Sequence, residues 1–258
     1  MIGGRKIRDV AIRAVLEAGK RLKVDGGELE IDYKRRFDYT TQADRESEQI
    51  VIDIIRRDYP DHKFFAEESL RQSAGGYRWF IDPLDGTTNY IHGFPVYSVS
   101  VACEYNGDIF LGVVFDPSRD DLFVAEKGRG AFFNDSPIRV SDVRDPALGL
   151  LITGFPFRFK DKIDLYQESF KRLFVQFSGI RRTGSAALDL CYLACGRCEG
   201  FWEIGLSPWD IAAGYIMIRE AGGEITDFHG GNPMWSGNVL ASNGILHSVL
   251  RKVLDGVF

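Results

Sequence analysis

Trp79-Phe80-Ile81-Asp82-Pro83-Leu84-Asp85-Gly86-Thr87-Thr88-Asn89 runs from an apolar stretch straight into a turn that holds two aspartates three positions apart. The pattern predicts a strand over 77–81 that enters a turn-rich stretch and then, from Gly86-Thr87-Thr88, the start of a helix. A buried carboxylate costs several kcal/mol unless a cation or a set of donors offsets it. The open N–H groups of a helix start beside such carboxylates offer a seat for a phosphate.

Outward from this stretch, apolar spacing at Ile7, Val10, Ala11, Ala14, Val15 and Ala18 predicts an amphipathic helix over 7–22 that ends near Gly19. A second helix is predicted over 44–58, with Ile50, Ile54 and Ile55 inward and Pro60 past its end, and then a short strand ending at 66–69. Strands follow over 96–105, 109–115 and 122–126, the first two joined by Asn106-Gly107, a strong hairpin signal. After Ser141 the pattern becomes strand (150–153), helix (165–174), strand (179–182), helix from Ser185, strand (200–203), helix (208–221), strand (224–227) and a terminal helix after His247, which favours parallel pairing. The chain is thereby divided into an N-terminal α+β half, 1–142, with most of the acidic candidates, and a C-terminal α/β half, 143–258.

The 258 residues, 45% hydrophobic and 27% charged, have the balance of an ordinary globular chain. A formal charge of -5 argues against a general nucleic-acid binder. The apolar runs fall short of the roughly 20 residues a membrane span needs, and the N-terminus lacks a secretory apolar region, so the chain reads as cytoplasmic. Cys191, Cys195 and Cys198 are spaced as on a helix with no fourth ligand beside them, so with Cys103 they read as reduced, packed thiols.

Glu67-Glu68-Ser69, the Asp82/Asp85 turn and Trp209-Asp210 each place acids in apolar, turn-rich surroundings. Any one alone is more often structural, because Asp-Gly turns and first-turn acids are common. Together, all-oxygen donors next to two helix starts, Gly86-Thr87-Thr88 and Gly184-Ser185, point to a hard cation such as Mg²⁺ and to phosphoryl transfer.

Ala66-Glu67-Glu68-Ser69, the stretch 79–89, and Pro208-Trp209-Asp210-Ile211-Ala212-Ala213-Gly214 with Glu220-Ala221-Gly222-Gly223 resemble the signatures of the inositol monophosphatase family, from the first helix to the last strand. The stretch Arg181-Arg182-Thr183-Gly184-Ser185-Ala186-Ala187 looks most like its bacterial branch. The resemblance implies a mixed α+β and α/β architecture, a layered α-β-α-β-α sandwich of the inositol monophosphatase and fructose-1,6-bisphosphatase type. It also implies Mg²⁺, about two or three ions per site, held by Glu67, Asp82, the Leu84 carbonyl, Asp85 and Asp210, with the Thr87 hydroxyl adjoining. Asp44 is expected to pair with Thr87 or a bound water. Gly86, Thr87 and Thr88 are expected on the phosphate, and Gly184, Ser185, Ala186 and Glu203, with Asp210, on the alcohol portion of the substrate. Lys34 is a candidate for a basic residue upstream of Asp44, but its segment aligns only with a shift and it stays outside the site set.

The implied reaction is direct hydrolysis of a phosphorylated sugar or polyol, myo-inositol monophosphate first, by a water activated at metal, Glu67 and the Asp44–Thr87 pair. Lithium sensitivity and a homodimer are implied by the same likeness. Fructose-1,6-bisphosphatase or dual sugar-phosphatase activity is the nearest rival, with discrimination expected in 155–162, Arg181–Arg182 and Glu203. A haloacid-dehalogenase reading fits less well, because its Asp-x-Asp-Gly-Thr has one residue fewer between the acids. From another class, members of the bacterial branch bind the transcription machinery; association with RNA polymerase or nucleic acid stays a minor alternative, opposed by the charge.

Overall fold

The computed structural model describes residues 3–23, 30–35, 38–69, 72, 75–156 and 159–258. Helix α1 (Gly3–Lys23) buries Ile7, Val10, Ala11, Ala14, Val15, Ala18 and Leu22, one stripe at helical spacing. It does not end at Gly19, as the sequence predicts. A Cβ there would lie 2.5 Å from the Phe115 ring, so this glycine serves close packing against the sheet rather than termination. After the hairpin β1 (Ile31–Arg35) and β2 (Asp38–Thr41), α2 (Gln42–Asp58) starts with Thr41 as N-cap and Asp44 reaching back in a capping box. Its buried face is Asp44, Ser47, Glu48, Val51, Ile52 and Ile55. Ile50 and Ile54 are only half-buried, because the first half of the inward stripe is polar and an apolar count misplaces the face.

Both helices cover one side of a seven-stranded sheet ordered β3 (Lys63–Ala66), β4 (Tyr77–Asp85), β5 (Ser98–Tyr105), β6 (Asp108–Asp116), β7 (Asp121–Glu126), β8 (Gly130–Phe133), β9 (Ser136–Ile138). Only β3 and β4 in it run parallel. Asn106 and Gly107, at φ 49° and 87°, make the tight turn from β5 to β6. In β4, Asp82 faces Ser100 and Asp85 faces Ser98, so three steps on one strand answer two on its neighbour. That bulge absorbs Pro83 and brings two aspartates, which a regular strand would point oppositely, to the same side.

The other side of this sheet carries α5 (Ala186–Ala194) and α6 (Pro208–Glu220), buried almost all round. Beneath them lies a five-stranded sheet ordered β11 (Gly179–Arg181), β10 (Leu150–Thr153), β12 (Gly200–Ile204), β14 (Asn238–Ser242), β13 (Glu224–Thr226), covered outside by α4 (Ile163–Phe174) and α8 (His247–Asp255). The remaining short helices are α3 (Thr87–Ile91) and α7 (Pro233–Ser236). The layers are α-β-α-β-α, as the resemblance implies. Strand β10 pairs parallel with both neighbours, whereas β14, which the sequence reading lacks, inserts antiparallel between β12 and β13. One core joins Phe80, Val114 and Phe123 of the first sheet to Ile152, Phe201 and Val239 of the second through Leu190, Ile211 and Met217.

The four thiols are free, and burial pushes those of Cys103, Cys191 and Cys198 well up and Cys195 to about 11. Among the described residues no helix is long and apolar enough to cross a membrane.

His247 opens α8 and is buried, its Nε2 2.9 Å from Thr226 Oγ1 and its Nδ1 3.0 Å from Ser242 Oγ, which ties α8 to β13 and β14. Burial lowers its pKa, Glu224 pulls the other way and Arg251 adds to the lowering. Its contribution to stability is therefore complete above about pH 6.5 and is lost as acid charges the ring. We expect the urea midpoint to fall between about pH 7.5 and about pH 5.5, and to fall less in H247Q; equal slopes in the two proteins would refute this.

Candidate active site

The polar face of α2 begins the site. Asp44 Oδ2 accepts from Thr41 N at 2.8 Å and Thr41 Oγ1 at 2.6 Å, and Oδ1 is 3.0 Å from Thr87 Oγ1, which lies equally far from the Leu84 carbonyl. One turn along, Ser47 Oγ donates to the Pro83 carbonyl at 2.7 Å. The helix thus pins both the β4 bulge and the first residue of α3.

Two helix starts orient the remaining acids. Asp85 Oδ2 accepts from Ser185 Oγ at 2.6 Å and from Ala187 N at 2.8 Å, at the opening of α5. Asp210 Oδ2 accepts from Ser207 N at 2.7 Å, at the opening of α6, and Asp82 Oδ1 from Leu84 N at 3.1 Å. A carboxylate at a helix start satisfies orphan N–H groups and meets the positive end of the dipole.

These elements enclose a cavity of about 310 Å³. Glu67, Asp82, Leu84, Asp85, Gly86, Thr87, Thr88, Gly184, Ser185, Ala186, Glu203 and Asp210 all line it. Asp44 does not: it is fully buried behind Thr87. Glu203 stands on β12 in the interior of its sheet and is buried. The side chain of Lys34 and residues 157–158 lie outside the described residues.

Tyr39, Gly154, Arg182, Asp189 and Leu206 complete the wall. Asp189, which accepts from Thr183 Oγ1, had a visible signal, a lone acid in the apolar run 186–191. Gly154 had none. A Cβ on it would collide with the Glu203 carboxylate, so its lack of a side chain is what lets Glu203 reach the cavity.

Among the described residues, six lining acids, Glu67, Asp82, Asp85, Asp189, Glu203 and Asp210, share the wall with one cation, the exposed Arg182, which rests 5.1 Å from the Phe155 ring centre. Burial, then Glu67, Asp85 and Asp210, push the Asp82 carboxyl well up. Burial and Asp210 take Asp85 to about 7 against the opposing bonds from Ser185 and Ala187. Asp44 is raised to about 6, by burial first, with Thr41 opposing. Burial, then Asp189, raise Glu203. Among the described residues no group of three or more His, Cys, Asp or Glu is gathered tightly enough to hold a metal ion. The donor chemistry nonetheless fits a hard divalent cation: the ligands on offer are carboxylate, carbonyl and hydroxyl oxygens, and neutralising charge is what the wall lacks.

The class of this layered α/β protein, with its acid-walled cavity between two sheets and helix starts turned into it, follows from its relatives. Residues 5–256 match the inositol monophosphatase family model, and the chain belongs to that family. The inositol-1-monophosphatase of Rhizobium meliloti is 41% identical over 253 residues, 96% of this chain and 95% of that one. The Nus factor SuhB of Escherichia coli is 44% identical over 254 residues, again 96% and 95%. Among solved structures, the extragenic suppressor protein suhB of Bartonella henselae is similar with a TM-score of 0.92 and 41% identity, over 97% of this chain and 98% of that one.

If Glu203 meets the alcohol part of the substrate, G154A displaces it. Losing one charge-assisted bond costs about 1.5–3 kcal/mol, so KM for a phosphorylated polyol is expected to rise about tenfold or more with kcat nearly kept. An unchanged KM in steady-state assays removes Glu203 from the substrate.

Proposed function

We propose that the protein hydrolyses phosphate monoesters of polyols, myo-inositol monophosphate first among them, with about two or three Mg²⁺ ions per site. The observation that carries this reading is the excess, among the described residues, of carboxylates over cations around one cavity. Glu67, Asp82, Asp85 and Asp210, with the Leu84 carbonyl, would hold the ions. When bound, these supply Lewis acidity to a water nucleophile and to the phosphoryl oxygens.

The chain's own residues do the rest. The Gly86-Thr87-Thr88 backbone receives the phosphate at the start of α3. Thr87 Oγ1 is within reach of both the Asp44 carboxylate, buried behind it, and the Leu84 carbonyl; donating to Asp44 would leave its lone pairs to orient the nucleophile. Glu203, Gly184 and Ala186 face the alcohol portion. Ser185, at hydrogen-bonding distance from Asp85, orients that carboxylate as well as bordering the substrate.

Chelation should abolish hydrolysis and Mg²⁺ restore it, and D82N should cost at least about a hundredfold in kcat/KM. A panel of inositol 1-phosphate, fructose 1,6-bisphosphate and histidinol phosphate names the substrate. Turnover that survives chelation, or none on any member of the panel, would sink the reading.

The Nus factor name of relatives at 44% identity supports a second reading, association with the transcription machinery. D82N separates the two, since it removes hydrolysis and leaves such binding intact. A homodimer is the proposed assembly, favoured by Leu148, Phe174 and Val175, which are 72%, 56% and 77% exposed. Sedimentation is expected to give twice the chain mass, and V175D to lower it; a wild-type monomer would overturn this.

A further inference from the structure

We propose that Glu48 is a positioning residue for Glu67, acting through the turn 67–69, and so sets metal affinity without touching metal or substrate. The inference rests on the metal-holding role of Glu67 given above. Glu48 follows Asp44 by one helical turn on the buried face of α2. Its Oε2 accepts from Glu68 N at 2.7 Å and its Oε1 from Ser69 Oγ, so one carboxylate clasps the two residues that follow Glu67. On the near side, Glu67 N donates to the Ile81 carbonyl at 3.1 Å, which extends the pairing of β3 with β4 up to the site. Across the turn, Thr40 Oγ1 donates to Glu68 Oε2 at 3.1 Å. Glu67 is therefore fixed from β4, from α2 and from β2.

Anchoring a turn does not by itself call for a buried negative charge. A glutamine at 48 could accept from Glu68 N only with its one oxygen and would have to donate to Ser69 Oγ, reversing the second bond and giving up the charge-assisted strength of both. With Ser47 on Pro83 and Asp44 on Thr87, residues at i, i+3 and i+4 of one helix each fix a different segment of the cavity wall. Metal donors must be held to within about 0.5 Å, and loss of an outer partner typically weakens metal binding about 10–100-fold.

The test is Mn²⁺ binding to the full chain, followed by the electron paramagnetic resonance signal of the free ion, with melting temperature and kcat recorded alongside. E48Q is expected to weaken Mn²⁺ binding about tenfold or more, to raise the Mg²⁺ half-saturation by the same factor, and to keep kcat at saturating metal. S69A removes one of the two donors without stranding a charge and is expected to give a smaller loss in the same direction. A purely structural role would lower the melting temperature and leave the affinity of the folded protein unchanged; that result overturns the proposal. Should E48Q fail to fold, S69A decides alone, and wild-type affinity in it is equally fatal. A wild-type chain that binds no Mn²⁺ instead removes the metal reading itself, and this inference with it.

Discussion

Like charges crowded into a poorly solvated space repel, and six acids around a cavity of about 310 Å³ are an arrangement that folding alone would disperse. Each neighbouring element offsets part of that cost. The openings of α5 and α6 give N–H donors to Asp85 and Asp210, Leu84 gives one to Asp82, and the capping box of α2 holds Asp44. Each of these bonds uses one oxygen of its carboxylate. They lower the energy of the charged forms only in part, since burial and Asp210 still hold Asp85 at about 7, and the cations proposed above would offset more.

The layering follows from the same demand. Acids at the end of a strand, at the starts of two helices and on a second sheet converge only if both sheets pack on the shared helices α5 and α6, whose burial is almost complete. The apolar core between the sheets thus supplies the rigidity that keeps repelling groups in place. Cavity and core are two sides of one set of helices, and the acids meet where the two sheets face each other.

Much of this was legible in the residues. Tight turns announce themselves, so Asn106-Gly107 pointed to its hairpin, whereas the Asp82–Asp85 stretch, which reads as a turn, is a bulge inside β4 because β5 pairs with it on both sides. Alternating helix and strand after residue 141 gave nearly every element of the second sheet. What escaped was whatever depends on partners distant in sequence. Gly19 reads as a helix stop until Phe115 is laid against it, and Gly154 has no meaning until Glu203 arrives from another strand. The inward face of α2 was misjudged because Asp44, Ser47 and Glu48 do there what leucines do elsewhere. Strand β14 was hidden by its short, unpatterned sequence Asn238-Val239-Leu240-Ala241-Ser242, which gains its identity from the two strands beside it.

The unequal count where β4 meets β5 fixes arithmetic as well as direction. Pro83 and Leu84, the two residues between Asp82 and Asp85, are both buried, so packing constrains their kind as well as their number. Removing one residue would restore a regular ladder with both aspartates still on one face, but it would take away a carbonyl that is in use, that of Pro83 for Ser47 or that of Leu84 for Thr87. Descendants of this chain are thus bound in that interval by letter and by length together, since its side chains fill the layer beneath while its carbonyls serve a neighbouring helix and the hydroxyl of Thr87.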